Sequence, residues 1–389
     1  MKSMKMLQGI AICAATSMVA VVASHADIKI GATVSATGPA ASLGIPYRNT
    51  LGLLPKEVAG QKIEWVILDD GSDPTNAVKN ARKLTSEDSV DIILGANTSP
   101  IALALVDVAS ETKTPFIAMA SSIRIVSPMD DKRYWVFKAS QADALMVGAI
   151  ADHMKTSNVK RAAFIGANDA FGESFWAEFE PAAKKAGIEI VASERFNRTD
   201  TSVTGQILKI VGAKPDAVFI AAVGTPAALP AIALKERGYN GLQYQSHAVL
   251  NADFLRVGGK ALEGTFFPTG AMLIPEQLPD SNPIKKVALD YVTQYEKQFG
   301  AGTRATFGGH AYDSFLTFAN AVPAALKVGK PGTPEFRKAL RDEIEKSKDV
   351  VGSHGIFNIT PMDHIGLDNR ARMIVTVKDG TWKLVPQLP

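Results

Sequence analysis

Apolar positions fall into short continuous runs separated by longer stretches of helical period. The runs at 28–34, 63–68, 90–94 and 116–119 are rich in Ile, Val and Leu and are bounded by Gly, Pro, Asp or Ser. Such runs read as strands buried on both faces. Stretches 74–84 and 101–111 repeat apolar residues every three or four positions, which predicts amphipathic helices. Alternation of this kind predicts right-handed βαβ units on a parallel sheet.

The alternation then restarts. Strands are predicted at 162–166, 187–193 and 216–222, with helices at 172–186, 203–211 and 226–237. Two α/β halves in one chain predict two lobes. Long helices follow at 282–299 and 305–326, then a Gly/Pro loop at 328–334. Late strands are expected at 355–359 and 372–377, the second joined through Lys378-Asp379-Gly380-Thr381 to a last strand at 382–385 by a hairpin turn.

The start of the chain has a different pattern. Lys2 and Lys5 precede an apolar run at 10–23, and Ser24-His25-Ala26 offers small residues at the two positions that determine cleavage. This predicts a secretory signal peptide over 1–26 and export to the periplasm. The single cysteine of the chain, Cys13, lies inside that segment. The remaining chain then has no disulfide, no thiolate metal site and no cysteine nucleophile. Its core must come from apolar burial alone, and the chain is long enough for two domains of ordinary size. The formal net charge of +3 includes Lys2 and Lys5, so the exported chain is close to neutral. It has no long basic run, which speaks against a nucleic-acid partner.

Ligands of open α/β sheets bind beyond the carboxyl ends of the strands. Three loops there, in the first half, are small, hydroxylic and uncharged: 35–44, 95–100 and 119–124. Free N–H groups at a helix start and Ser/Thr hydroxyls suit one carboxylate. They suit a polyphosphate less well, since no Gly-x-x-x-x-Gly-Lys is present. Ser and Thr also cap helices in every fold, but three such loops follow strands that should be neighbours. The loop at 37–44 does not fit Gly-x-Gly-x-x-Gly. Asp69-Asp70 reads as a cap for the helix at Pro74. No Gly-x-Ser-x-Gly elbow or His-Glu-x-x-His is present. The histidines His153, His247, His310, His354 and His364 are scattered, and only His247 opens a loop after a strand in the second half. No catalysis and no cofactor or metal are expected.

Six segments together carry a family resemblance: 28–44, 69–84, 93–100, 113–122, 135–140 and 167–175. In order and spacing the chain resembles the periplasmic binding proteins for branched-chain amino acids, the type I solute receptors of ABC importers. The resemblance implies an α/β type I fold: two Rossmann-like lobes with parallel central sheets, joined by three hinge strands. Lobe 1 would be 27–140 plus 270–353, and lobe 2 would be 141–269 plus 354–389. The crossings would fall near 139–141, 269–270 and 352–355. It also implies a ligand trapped between the lobes, a permease of the inner membrane as partner, and a monomer.

The family's carboxylate positions match Ser99, with Thr98 beside it, after the third strand, and Ala120, Ser121 and Ser122 after the fourth; Asn97 shares the third-strand junction and is also expected at the ligand. Its ammonium positions do not match. They look like His247, Phe171 and Val223, none of which is an anion. Leu43 stands where an aromatic is common, and Phe307 falls near a side-chain contact. An ammonium group desolvated without an acceptor costs several kcal/mol. The expected ligand is therefore a small carboxylate without an α-amino group, most simply an aromatic acid of the benzoate or hydroxycinnamate type. The alternatives are a branched-chain or other amino-acid receptor and a ligand sensor for a receptor partner.

Overall fold

A computed structural model describes residues 27–386. The predicted signal peptide, with Cys13, lies outside the described residues. Two sheets form the centres of two lobes. The first contains β1 (Ile28–Val34), β2 (Glu57–Val58), β3 (Gln61–Asp69), β4 (Ile92–Gly95), β5 (Phe116–Ala118) and β6 (Val136–Lys138), in spatial order β2-β3-β1-β4-β5-β6. It is parallel except for the short β2. Helices α1 (Ala41–Leu51), α2 (Pro74–Ser86) and α3 (Ser99–Thr112) are the crossovers.

The chain then passes to the second lobe through α4 (Asp143–Thr156). Strands β7 (Arg161–Ala167), β8 (Glu189–Phe196), β9 (Ala217–Ala221), β10 (Leu242–Gln245) and β11 (Phe266–Thr269) alternate with α5 (Ala170–Ala186), α6 (Thr204–Gly212), α7 (Ala228–Glu236) and α8 (Ala252–Gly258). Helices α9 (Lys285–Phe299), α10 (Thr306–Ala325) and α11 (Pro334–Glu345) follow, with α10 packed on α1. A small hairpin of β12 (Val350–Val351) and β13 (Ile356–Phe357) comes next. Strands β14 (Met373–Lys378) and β15 (Thr381–Leu384) then extend the second sheet, in order β15-β14-β11-β10-β9-β7-β8. Both late strands are antiparallel to their neighbours, so this sheet is mixed. The expected hairpin at Asp379-Gly380 is present.

Inner and edge strands differ as burial requires. All residues of β4 and β9 are buried, whereas β3, flanked on its outer side only by the two-residue β2, alternates. Helix starts follow local chemistry. Asp73 caps α2 by accepting from Asn76 N, with Pro74 in the first turn, and Asp169 caps α5 by accepting from Phe171 N and Gly172 N. The cap expected from Asp69-Asp70 is corrected here. Asp69 receives the N–H groups of Ala36, Thr37 and Gly71, and Asp70 receives Ser72 N and Thr33 Oγ1. The pair ties the first-strand loop to the second because both loops leave the same sheet edge.

The expected division at 270 and 353 also needs correction. Ala271, Leu273, Ile274, Leu278, Ile284 and Ala288 remain in a second-lobe core. Phe357, Ile359 and Ile365 instead pack in first-lobe cores, and Lys138 N donates to His364 O. The Gly352–Gly355 region is the tip of the β12–β13 hairpin, closed by Gly352 N to Gly355 O at 2.8 Å. Ile356 reaches the second-lobe core, and from Met373 the chain is back in the second sheet, where β14 pairs with β11. An apolar pattern specifies that a segment is buried, but here it did not specify on which of two similar sheets.

Candidate functional site

The first lobe presents two adjacent loops. At the end of β4 a Cβ on Gly95 would lie 2.7 Å from Thr33 O, so only glycine lets β4 run this close to β1. Ala96 follows at φ +61°, a left-handed conformation that costs an L-residue roughly 1–2 kcal/mol. This sharp turn brings Asn97, Thr98 and Ser99 to the start of α3. All three are buried. Asn97 Oδ1 accepts Ser35 N at 3.0 Å, which orients its amide, while Nδ2 has no protein partner. Thr98 is the N-cap residue, though its side chain makes no capping bond. Ser99 Oγ accepts Ser122 N at 3.3 Å, joining this loop to the next.

Ala120, Ser121 and Ser122 follow β5 and are buried as well. Beneath them lies Lys138, whose ammonium donates to Ser121 O, to Gln141 O at 3.0 Å and to Ser140 Oγ at 3.3 Å. Lys138 is 1% exposed. Burial lowers its pKa, and Asp143 acts in the opposite direction. Burial raises the pKa of Asp143, which Lys138 opposes. Sequence reasoning missed this pair. The signal was a lysine in the otherwise apolar Trp135-Val136-Phe137 run.

The two lobes meet at these loops. Ser121 Oγ lies 3.0 Å from His247 Nε2, and Ser122 Oγ donates to Ser174 Oγ at 3.0 Å. Ser174 in turn donates to Asp143 Oδ2. At the opposite rim a Cβ on Gly224 would stand 2.8 Å from Ser42 Oγ and 2.9 Å from Leu43 Cδ1. Leu43, Phe171, Val223 and Phe307 belong to one apolar cluster, which also holds Phe175. The Phe171 and Phe175 rings are 4.6 Å apart, and Phe175 is 5.9 Å from His247. The residues expected at the site thus fall into two groups. One is polar, in the first-lobe loops. The other is apolar, drawn from both lobes, and His247 touches both.

His247 is buried, and its pKa is pushed down to about 3 by burial, then by Lys138 and His354. His310 and His354 stand beside it, with ring centroids at 6.5 Å for His247–His310 and 4.2 Å for His310–His354. Sequence reasoning set both aside as isolated histidines, and no local signal marked them. Among the described residues no group of three His, Cys, Asp or Glu side chains is placed to hold a metal ion.

Two α/β lobes that press buried polar loops and an aromatic cluster against each other form a ligand-enclosing receptor. The chain belongs to the periplasmic binding protein family, whose model matches residues 27–381. An extracellular ligand-binding receptor from Rhodopseudomonas palustris HaA2 is 46% identical with a TM-score of 0.90, over 92% of this chain and 100% of that one. The Leu/Ile/Val-binding protein BraC3 of Rhizobium johnstonii is 24% identical, over 84% of this chain and 86% of its own. A solute-binding protein of an ABC transporter from Rhodopseudomonas palustris BisB5, solved with 3,4-dihydroxybenzoic acid, shares the fold at a TM-score of 0.76 and 23% identity, over 92% and 96% of the two chains. This protein is a non-enzymatic ligand-binding receptor of the periplasmic binding protein family. Among the described residues no helix is long and apolar enough to cross a membrane.

Proposed function

We propose that this receptor works in the periplasm as a monomer, delivers its ligand to an inner-membrane permease, and traps an aromatic acid without an α-amino group, of the benzoate or hydroxycinnamate type. The observation that carries the reading is His247. The titratable second-lobe side chain bonded to the serine loop is a buried imidazole, held neutral by its surroundings. A neutral ring is a poor partner for an ammonium group and a good neighbour for an aromatic one. Asn97 Nδ2, the Ser99 hydroxyl and the nearby Lys138 charge favour an anion at the first-lobe loops. The rings of Phe171, Phe175 and Phe307 favour a flat apolar body. The dihydroxybenzoate complex of the distant relative supports the reading only in that the same fold can enclose an aromatic acid.

A second reading has one observation in its favour. Asp143 Oδ1 has no hydrogen-bond partner, and a buried carboxylate oxygen is an acceptor for an ammonium. An amino-acid ligand would use it, but Lys138 already supplies that carboxylate with a cation. Calorimetric titration with leucine, isoleucine, benzoate and cinnamate decides. Aromatic acids are expected to bind and the amino acids to give no heat. Tight leucine binding would sink the proposal and favour the Asp143 reading.

A further inference from the structure

Two of the buried histidines have their tautomers set by neighbours, and this determines what they can bind. His354 Nδ1 lies 3.1 Å from Asp313 Oδ2. Asp313 also accepts Ser353 N and His354 N, so its oxygens serve as acceptors throughout. Ser353 Oγ is 3.2 Å from the same Nδ1, but it turns its own hydrogen to Gly309 O. In the neutral ring Nδ1 therefore carries the proton, and Nε2 of His354 is then a bare acceptor. His310 is fixed in the same way. Its Nε2 lies 3.1 Å from Gln141 Oε1, and Gln141 commits its own amide hydrogens by donating to Ala371 O at 3.3 Å. Nε2 of His310 must donate, which leaves Nδ1 as a bare acceptor.

Neither His310 Nδ1 nor His354 Nε2 has a protein partner, and both residues are 0% exposed. A buried acceptor left without a donor is costly. The fold makes room for this arrangement. A Cβ on Gly309 would fall 2.4 Å from His354 Cε1, and one on Gly270 would fall 2.7 Å from His354 Cδ2. The rings abut the aromatic cluster through Phe307, at 5.4 Å from His310, and the serine loops through His247. At the first-lobe loops the unpaired atom is of the opposite kind, the Asn97 Nδ2 donor. The site thus offers a donor in the first-lobe loop and acceptors beside Gly270 and Gln141.

We propose that the His310–His354 pair forms a subsite for a hydroxyl hydrogen, so that the ligands are aromatic acids bearing a ring hydroxyl. This rests on the aromatic-acid reading given above. His310 accepts rather than binding an anion as a cation. Burial pushes the pKa of His310 well below its ordinary value, with His354, His247 and Lys138 adding to the effect. A site that accepts from a hydroxyl rejects the analogue lacking it more strongly than a purely apolar pocket rejects a small change in shape.

The test is calorimetry on the full exported chain at pH 7 with two series. One is benzoate, 4-hydroxybenzoate and 4-methoxybenzoate, and the other is the same set on cinnamate. In the series that fits the cleft, the hydroxy acid should bind at least tenfold tighter than the parent. The methoxy acid, of similar reach but with no hydrogen to give, should bind no tighter than the parent. Repeating the titration in buffers of different ionisation heat should show no net proton uptake. His310→Leu should shrink the hydroxyl preference to under threefold. If that variant does not fold, the wild-type series decides alone. Parent and hydroxy acids binding equally well would overturn the subsite and leave the aromatic-acid reading standing. Uptake of about one proton would also overturn it, since the rings would then bind as cations. Failure of every aromatic acid, with leucine binding, would overturn both.

Discussion

Ser121 Oγ and His247 Nε2 stand 3.0 Å apart, one on each lobe, and both side chains are buried. A hydrogen bond across the two lobes exists only when they are closed. It therefore contributes to closure rather than to the stability of either lobe. Replacing Ser121 by Ala should weaken ligand binding by about 0.5–1.5 kcal/mol, the net worth of one such bond. Melting of the ligand-free protein should hardly move. Small-angle scattering of the free variant should report a radius of gyration at least as large as wild type, and a smaller value would contradict this role.

The serine loops should carry the anion. Ser99→Ala is expected to cost about 1.5–3 kcal/mol of binding free energy, as for a hydrogen bond to a charged group, and Ser122→Ala, which removes the interlobe bond to Ser174, about 0.5–1.5 kcal/mol. Wild-type affinity in both variants would place the carboxylate elsewhere.

Lys138 and Asp143 should behave as a buried pair. Lys138→Met leaves a desolvated carboxylate and should destabilise the fold by about 3–5 kcal/mol. Removing both charges in Lys138→Met/Asp143→Leu should recover at least half of that loss. Urea denaturation measures both. A double variant as unstable as the single would show that packing rather than charge dominates.

Gly224 controls how closely the lobes approach. It adopts φ +63° and faces Ser42 and Leu43 across the interface. In Gly224→Ala the added methyl group obstructs closure, and affinity should fall at least tenfold, equivalent to about 1.4 kcal/mol. Scattering of the variant with saturating ligand should show a larger radius of gyration than the wild-type complex.

Acid should destabilise the closed form through His247. Its folded pKa of about 3 lies below its ordinary value of 6.5, so below pH 6.5 the unfolded chain holds the extra proton. Stability therefore falls as pH drops through this window, by about 1–2 kcal/mol between pH 6.5 and 5. Asp143, whose pKa is raised, acts in the opposite direction but is present in both proteins being compared. Denaturation of the ligand-bound wild type and His247→Gln at several pH values should show a shallower loss in the variant. Parallel curves would mean that His247 is protonated in the fold.

The periodic elements were legible because their cause is local. The runs that became β4 and β9 are continuous and apolar because those strands are covered on both faces, and the start of α2 is marked by Pro74, although its cap is Asp73 and not Asp69-Asp70. The turn at Gly95-Ala96 was legible for the same reason, since a break between strand and helix is a property of a few consecutive residues. That loops after strands face a shared cleft follows from the handedness of βαβ units.

What only the tertiary structure decided depends on residues far apart in the chain. Val350 to Ile365 look like strand and loop, and nothing local says that Phe357 and Ile359 belong to the first lobe. Lys138 and Asp143 are tolerable inside the protein only because each offsets the other's desolvation, a balance set by the distance between β6 and the start of α4. His310 and His354 read as ordinary histidines until Asp313 and Gln141 are placed beside them. A side chain's polarity is written in the sequence, but whether it donates, accepts or carries charge depends on its neighbours. Those neighbours are assembled by sheet order and by the closing of one lobe on the other.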